Sequence, residues 1–247
     1  MSVKKQRLDQ ILLNRNLAES KTKAQAMIMA GQVFVDGKNI NKSGFNINSN
    51  AAIEIKNLGP KWVSRGANKL LTALEKNKII VKDKICIDLG SSTGGFTDVL
   101  IQNGANKVYA VDVGTNQLHE KLKKNNRVIS LEKTNARYIK KDQFEELIDI
   151  LVCDVSFISL KKVIEPNLHL LKDESVIISL IKPQFESKKN ETKKGVVRDP
   201  LIHQRICNEI SEWFESIYDS KVLSIIESPI KGPKGNVEFL ITVKFQK

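Results

Sequence analysis

The sequence predicts an α/β protein, a doubly wound Rossmann-like sheet with an antiparallel last strand, preceded by a small α+β domain. Three observations predict it. Seven apolar, β-branched runs between residues 85 and 245 have helix-like patterns between most of them. The last two runs are joined by a Pro/Gly-rich turn with no helix, so the final strand can return antiparallel and insert in the sheet. The first 55 or so residues instead show two short helical patterns and then a small β hairpin, a unit marginal in size but able to fold alone.

Taken in order, residues 7–14 place Leu8, Ile11 and Leu12 on one helical face. Ser20 offers an N-cap for a second helix over 21–30, which Gly31 ends. Strands are expected over 32–37 and 52–55. Residues 1–58 thus form one domain, 59–66 a linker broken by Gly59 and Pro60, and 67–247 a second domain that opens with a helix through Leu70, Leu71 and Leu74. Its strands are predicted at 85–88, 108–112, 128–131, 150–154, 176–181, 222–226 and 238–245. Ligands of such sheets bind beyond the carboxyl ends of the strands, where Asp88, Asp112 and Asp154 each end a strand and Lys182 follows the fifth.

The segment I-C-I-D-L-G-S-S-T-G-G-F at 85–96 organises the second domain. Its glycines, Gly90, Gly94 and Gly95, miss the G-x-G-x-x-G dinucleotide spacing, and no Lys-Ser/Thr of a phosphate-binding loop follows. Asp112 ends the next strand 24 positions after Asp88, where an acid can bind the two hydroxyls of a ribose. An adenosine without a clamped phosphate chain fits this pattern, and S-adenosylmethionine is such a ligand. The plainer alternative is an Asp112 that caps a helix and glycines that only make a tight turn.

The net charge is +12, from 40 Lys/Arg against 28 Asp/Glu, and residues 1–60 carry 9 against 4. Such a surface suits nucleic acid, although abundant Lys, Asn and Ile throughout raise the charge without any partner. The first ten residues hold no signal-peptide stretch and the densest apolar run, 176–181, is too short to span a bilayer, so the chain is expected in the cytoplasm. Cys86, Cys153 and Cys207 lack C-x-x-C spacing and are read as core residues. His119, His169 and His203 lack zinc-site spacing, and no metal is expected.

R-L-D-Q-I-L-L, S-K-T-K-A-Q-A-M-I-M-A-G and Q-V-F-V-D-G-K in the first domain resemble the S-four RNA-binding domain first described in a protein of the small ribosomal subunit. The resemblance implies RNA contacts from Arg7, Lys21 and Lys23. Eight further motifs extend it to the whole chain: V-S-R-G-A-N-K-L (63–70), D-L-G-S-S-T-G-G-F-T-D-V-L (88–100), V-Y-A-V-D-V-G (108–114), T-N-A-R-Y (134–138), D-V-S-F-I-S-L (154–160), K-P-Q-F-E (182–186), G-V-V-R-D-P (195–200) and G-P-K-G-N-V-E-F-L (232–240). In this order they resemble the TlyA family, ribosomal RNA methyltransferases also known as haemolysins, with an S-four domain ahead of an FtsJ-like domain of the class I methyltransferase fold.

The resemblance implies methyl transfer from S-adenosylmethionine to a ribose 2'-hydroxyl, usually of cytidine, in the ribosomal RNA of small or large subunits. It implies a catalytic set of Lys69, Asp154, Lys182 and Glu238, with Lys182 nearest the hydroxyl. Cofactor contacts are implied from Asp88, Gly90, Ser91, Ser92, Thr93, Gly94, Gly95, Phe96, Asp112, Val113, Asn135, Ala136 and Asp154, and further RNA contacts from Arg65 and Arg137. A ribose hydroxyl is a poor nucleophile, so the enzyme must align it with the methyl and assist loss of its proton. A lysine is a base only where burial and a second cation lower its pKa, and Lys69 is the candidate neighbour; Lys182 could instead only orient the hydroxyl while water takes the proton. Trp62, Ala67, Thr115, Asn116, Ser187 and Lys188 depart from the residues usual in the family. The tract K-K-N-E-T-K-K at 188–194 is expected to be a solvated loop, with an RNA-facing lid as the alternative. Two rival functions are a ribosome-binding protein without catalysis and a membrane-active haemolysin; the latter needs an amphipathic or apolar segment that this sequence does not show.

Overall fold

The computed structural model describes residues 5–56 and 62–247. The chain divides into two compact units, residues 1–61 and 62–247. The Gly59-Pro60 break expected in the linker lies outside the described residues, whereas residues 62–66, also expected there, group with the second unit.

The first unit contains β1 (Lys5–Arg7), α1 (Leu8–Asn14), α2 (Lys21–Met29), β2 (Val33–Val35), β3 (Lys38–Asn39), β4 (Asn46–Asn48) and β5 (Ile53–Ile55). Ser20 caps α2 as expected, its hydroxyl accepting from the Lys23 amide at 3.1 Å. In place of a single hairpin there is a three-stranded sheet, β3-β2-β5, and a separate β1–β4 pair. Leu8, Ile11, Leu12, Ala24, Ile28, Val33, Val35 and Ile47 form its core.

The second unit opens with α3 (Ala67–Asn77), then runs β6 (Ile85–Leu89), α4 (Gly95–Gln102), β7 (Lys107–Val111), α5 (Glu120–Lys123), β8 (Val128–Leu131) and β9 (Ile148–Cys153). It continues with α6 (Lys161–Ile164), β10 (Leu171–Ile181), α7 (Pro183–Glu186), α8 (Pro200–Glu215), β11 (Lys221–Glu227) and β12 (Phe239–Gln246). The seven strands form one sheet in the order β11-β12-β10-β9-β6-β7-β8. Strands β10, β9, β6, β7 and β8 are parallel, and β12 inserts antiparallel between β10 and β11. This is the predicted topology, and the helix-free return to β12 explains it: without a crossover, the chain can only come back antiparallel.

Alternate residues of β6 serve opposite faces. Ile85, Ile87 and Leu89 join a core with Ile206, Ile210 and Phe214 of α8, whereas Cys86 joins Leu70 and Leu74 of α3 and Phe96 and Leu100 of α4. All three cysteines are buried and unpaired, as read from sequence. Asp199 caps α8 ahead of Pro200, and the i, i+3, i+4, i+7 residues His203, Ile206, Cys207 and Ile210 face the sheet. With both faces covered, the polar residues beyond the carboxyl ends of the parallel strands are left to form a site.

Candidate active site

The chain leaves β6 through Gly90, whose φ is +84°, a conformation that glycine adopts freely. A Cβ at this position would stand 3.0 Å from the carbonyl oxygen of Asp154, so the glycine lets the loops after β6 and β9 close on each other. Ser92 also has a positive φ, and its amide donates to Asp112 Oδ2 at 2.8 Å, while Gly114 N donates to Oδ1 at 2.7 Å. Asp112 therefore braces the glycine-rich loop against the loop after β7. It does not cap a helix: α5 is capped by His119, whose Nδ1 accepts from the Lys121 amide.

Asp88 lies beneath this loop and is only 1% exposed. Its Oδ2 accepts from the amide and the hydroxyl of Thr97 at 3.0 and 2.7 Å, and its buried Oδ1 has no partner. Burial pushes its pKa up to about 7; the Thr97 hydroxyl opposes the shift, and the neighbouring Asp154 charge adds to it.

Two connected cavities open around the loop. The larger, about 930 Å³, is lined by Gly90, Ser92, Asp112, Val113, Asn135, Ala136 and Asp154. That volume suits a small organic ligand. The smaller, about 240 Å³, is lined by Asp88, Ser91, Thr93, Gly95 and Phe96 together with Lys69, Asp154, Lys182 and Glu238. Gly90, Ser92, Asp154 and Ser156 border both. Gly94 borders neither; it carries φ +94° at the N-cap of α4, and a Cβ there would overlap Leu122.

The four residues named by the family pattern come from α3, the end of β9, the end of β10 and the approach to β12, and the fold brings them together. Lys182 Nζ stands 2.5 Å from Asp154 Oδ1. Lys69 Nζ stands 2.7 Å from Glu238 Oε2 and 3.6 Å from Asp154 Oδ2. Lys69, Lys182 and Glu238 are buried, and Asp154 is half-buried at the junction of the two cavities. One carboxylate thus engages both ammonium groups, an arrangement that fixes their side chains before any substrate arrives.

Sequence reasoning missed three contributors. Ser156 accepts a hydrogen bond from Lys182 Nζ at 2.9 Å. Phe157, with φ +66° and 89% exposed, lines the larger cavity with its ring 5.1 Å from that of Phe185. Both stand directly after Asp154 in D-V-S-F, the signal that could have found them. Asp98 is fully buried on α4 and accepts from the Val63 amide at 3.0 Å, fastening the segment that leads to Lys69.

The RNA candidates divide. Lys21 and Lys23 are exposed on the first turn of α2, and Arg65 is exposed before α3. Arg137 is exposed at the larger cavity, with its guanidinium 5.0 Å from the ring centre of Tyr138. Arg7, by contrast, is engaged by buried Asp9, through Nε and Nη2 at 3.0 and 2.7 Å, and this pairing holds the Asp9 carboxyl well below the usual range. Among the described residues no cluster of His, Cys, Asp and Glu could hold a metal ion, and no helix is long and apolar enough to cross a membrane.

Comparison with known proteins follows the same division. Residues 62–245 match the FtsJ-like methyltransferase family model, and residues 6–53 match the S4 domain. The chain is 42% identical over 238 residues to Hemolysin A of Brachyspira hyodysenteriae, covering 95% of this chain and 98% of that one. It is 38% identical over 242 residues to the 16S/23S rRNA (cytidine-2'-O)-methyltransferase TlyA of Mycobacterium tuberculosis, covering 97% and 90%. The fold alone is shared with the solved fibrillarin/Nop5p complex, at 16% identity and TM-score 0.53 over 76% of this chain and 88% of that one. The chain belongs to the FtsJ-like methyltransferase family and carries an S4 domain ahead of its methyltransferase unit.

Proposed function

We propose that the protein transfers a methyl group from S-adenosylmethionine to a ribose 2'-hydroxyl, that of a cytidine, in ribosomal RNA within ribosomal subunits in the cytoplasm. The observation that carries this reading is the engagement of both Lys182 and Lys69 by Asp154 at the border of the two cavities. One cavity is sized for a cofactor and the other is lined by groups that handle a proton. The names of the TlyA relatives supply the cytidine and the ribosomal RNA.

The residues present suit S-adenosylmethionine. Asp112 keeps acceptor capacity for ribose hydroxyls beyond the two amides it already binds, and Gly90, which borders both cavities, lets the loops that frame them close on each other. When bound, the cofactor supplies a methyl already activated on a sulfonium. The protein must then place the attacking oxygen and manage its proton. Lys182, held from two sides by Asp154 and Ser156, orients the hydroxyl as an ammonium donor, and the proton leaves to water. The Lys69–Glu238 pair fixes the second oxygen of Asp154 and keeps the carboxylate from turning away from Lys182. Lys21 and Lys23 in the first unit, with Arg65 and Arg137 in the second, hold the RNA by its phosphates.

The reading is tested by incubating the protein with labelled S-adenosylmethionine and purified 30S or 50S subunits from cells that lack it, then mapping the label. Label on a ribose of either subunit is expected. Cofactor binding with no label on either would refute it. Removing residues 1–60 should abolish transfer to subunits while leaving cofactor binding in place.

A further inference from the structure

Of two motifs near the four-residue site, G-V-V-R-D-P at 195–200 supplies none of its residues and G-P-K-G-N-V-E-F-L at 232–240 supplies Glu238 alone. The structure joins them through Asn236, a polar side chain only 3% exposed. Its Nδ2 donates to the carbonyls of Gly195 and Pro233, both at 3.0 Å, and its Oδ1 accepts from the Val197 amide at 3.3 Å. Its backbone carbonyl accepts from the Gly232 amide at 2.8 Å, closing the 232–236 turn. A buried amide with both donors satisfied holds its partners firmly, because each bond lost would leave a polar group unpaired away from water.

What this turn holds is Glu238. A Cβ on Gly232 would overlap the Glu238 carboxylate, so the Gly232 backbone is the wall against which that side chain rests. Pro233 lines the smaller cavity beside Glu238 and Lys69. On the other side of Asn236 lies the lysine-rich segment, where Lys188, Lys189, Lys193 and Lys194 are exposed and the Glu191 carboxylate is taken up by Arg205 at 2.7 Å. Lys234 Nζ bonds the Lys194 carbonyl at 3.4 Å, and the buried His203 ring meets the Val197 carbonyl at 3.0 Å. The lysine-rich segment is therefore fastened to the turn that backs Glu238.

We propose that Asn236 is a positioning residue for methyl transfer: it presses the 232–236 turn against Glu238, so setting where Lys69 stands, and it ties that setting to the lysine-rich segment at 188–197. The inference rests on the reading of the reaction given above. A side chain that moves by about 1 Å in such a site costs on the order of 100-fold in rate. Asn236 touches neither cavity, so its removal reaches the chemistry only through the 232–236 turn, which carries Pro233 and backs Glu238.

The test uses the full chain, with S-adenosylmethionine binding by calorimetry and methyl transfer to ribosomal subunits as separate readouts. Asn236→Ala should bind the cofactor with unchanged stoichiometry and with affinity within about twofold, while kcat falls about 10- to 100-fold. A role confined to folding would instead lower binding stoichiometry and rate together, and that result overturns the proposal. Asn236→Ala combined with Glu238→Gln should be no slower than Glu238→Gln alone, because both act through one group; losses that multiply overturn it. Gly232→Ala leaves the Asn236 amide in place and, at φ −73°, adds no backbone strain, so it should lower kcat through the Glu238 wall alone. A wild-type rate in that variant counts against the proposal even where Asn236→Ala fails to fold. Transfer by the wild type separates the two readings: its absence removes the reaction and this inference together, and its presence with an undiminished Asn236→Ala removes this inference alone.

Discussion

Replacing Asp88 with Asn should change how the stability of the second unit depends on pH. The ordinary pKa of an aspartate, 3.8, applies in the unfolded chain, and burial raises it to about 7 in the folded one. The folded state therefore holds a proton that the unfolded state has released throughout the interval between these values. The sign follows: below the unfolded pKa the group has no effect, and as pH rises towards the folded pKa the protein progressively loses stability. Across the whole interval the loss is about 4 kcal/mol, and between about pH 5.5 and pH 8.5 it is about 2 kcal/mol. In Asp88→Asn the amide oxygen can still accept both Thr97 bonds, and the Nδ2 occupies the place of an oxygen that has no partner now. The variant keeps the packing and loses the titration.

Urea unfolding followed by tryptophan fluorescence suits the measurement, because Trp62 and Trp213 both lie in the second unit. From near pH 5.5 to near pH 8.5 the stability of the variant relative to wild type should rise by about 2 kcal/mol. Every other ionisable group is common to both proteins and cancels in the comparison. Parallel pH profiles, or a gap that widens towards acid, would show that Asp88 is ionised in the fold and that the burial argument fails.

Lys182→Ala should lower methyl transfer by about 10²- to 10⁴-fold with cofactor affinity nearly unchanged, measured as single-turnover transfer beside equilibrium binding. Asp112→Ala should weaken cofactor binding by about 10-fold or more, since it removes the ribose acceptor and frees the Ser92 and Gly114 amides; the rate should return at saturating cofactor. Lys69→Met leaves Glu238 buried without its partner and should cost about 3–5 kcal/mol in urea unfolding. Lys69→Met with Glu238→Gln should recover most of that stability and none of the activity, and a double variant as unstable as the single would refute the pairing as the cause.

The sheet was legible because each of its strands carries a run rich in apolar, β-branched residues. Where the runs turn polar, reading failed: β10 begins at Leu171 and passes through Lys172, Asp173 and Glu174, which look like a loop. Their strand character comes from pairing, Leu171 with Ile148 and Glu174 with Gln246. Strands β1, β3 and β4 are two or three residues long, too short for any alternation to register. Asp112 could be found because its distance from Asp88 is that of one strand-helix-strand unit. Asp98 could not, since an acid within a helical pattern reads as solvent-facing, and two of its partners, the Val63 amide 35 residues earlier and the Lys121 ammonium 23 later, are distant in sequence. Lys69 and Glu238 are 169 positions apart, and only the family resemblance linked them.

The charge balance of the site follows from these placements. Two ammonium groups, Lys69 and Lys182, face two carboxylates, Asp154 and Glu238, and burial holds the nearby Asp88 carboxyl largely neutral below about pH 7. Such a cluster is neutral overall, which lowers the cost of burying it. It also means that neither the cationic cofactor nor the polyanionic RNA of the proposed reaction would meet a strong repelling charge there. On the proposed reading, attraction for RNA falls to exposed residues outside the cluster, such as Lys21, Lys23, Arg65 and Arg137, where a charge can be added or lost without unpairing a buried one. That reading gives binding and chemistry to separate sets of cations, and the two should respond differently to salt: phosphate binding weakens as ions screen it, while the buried pairs hold their geometry.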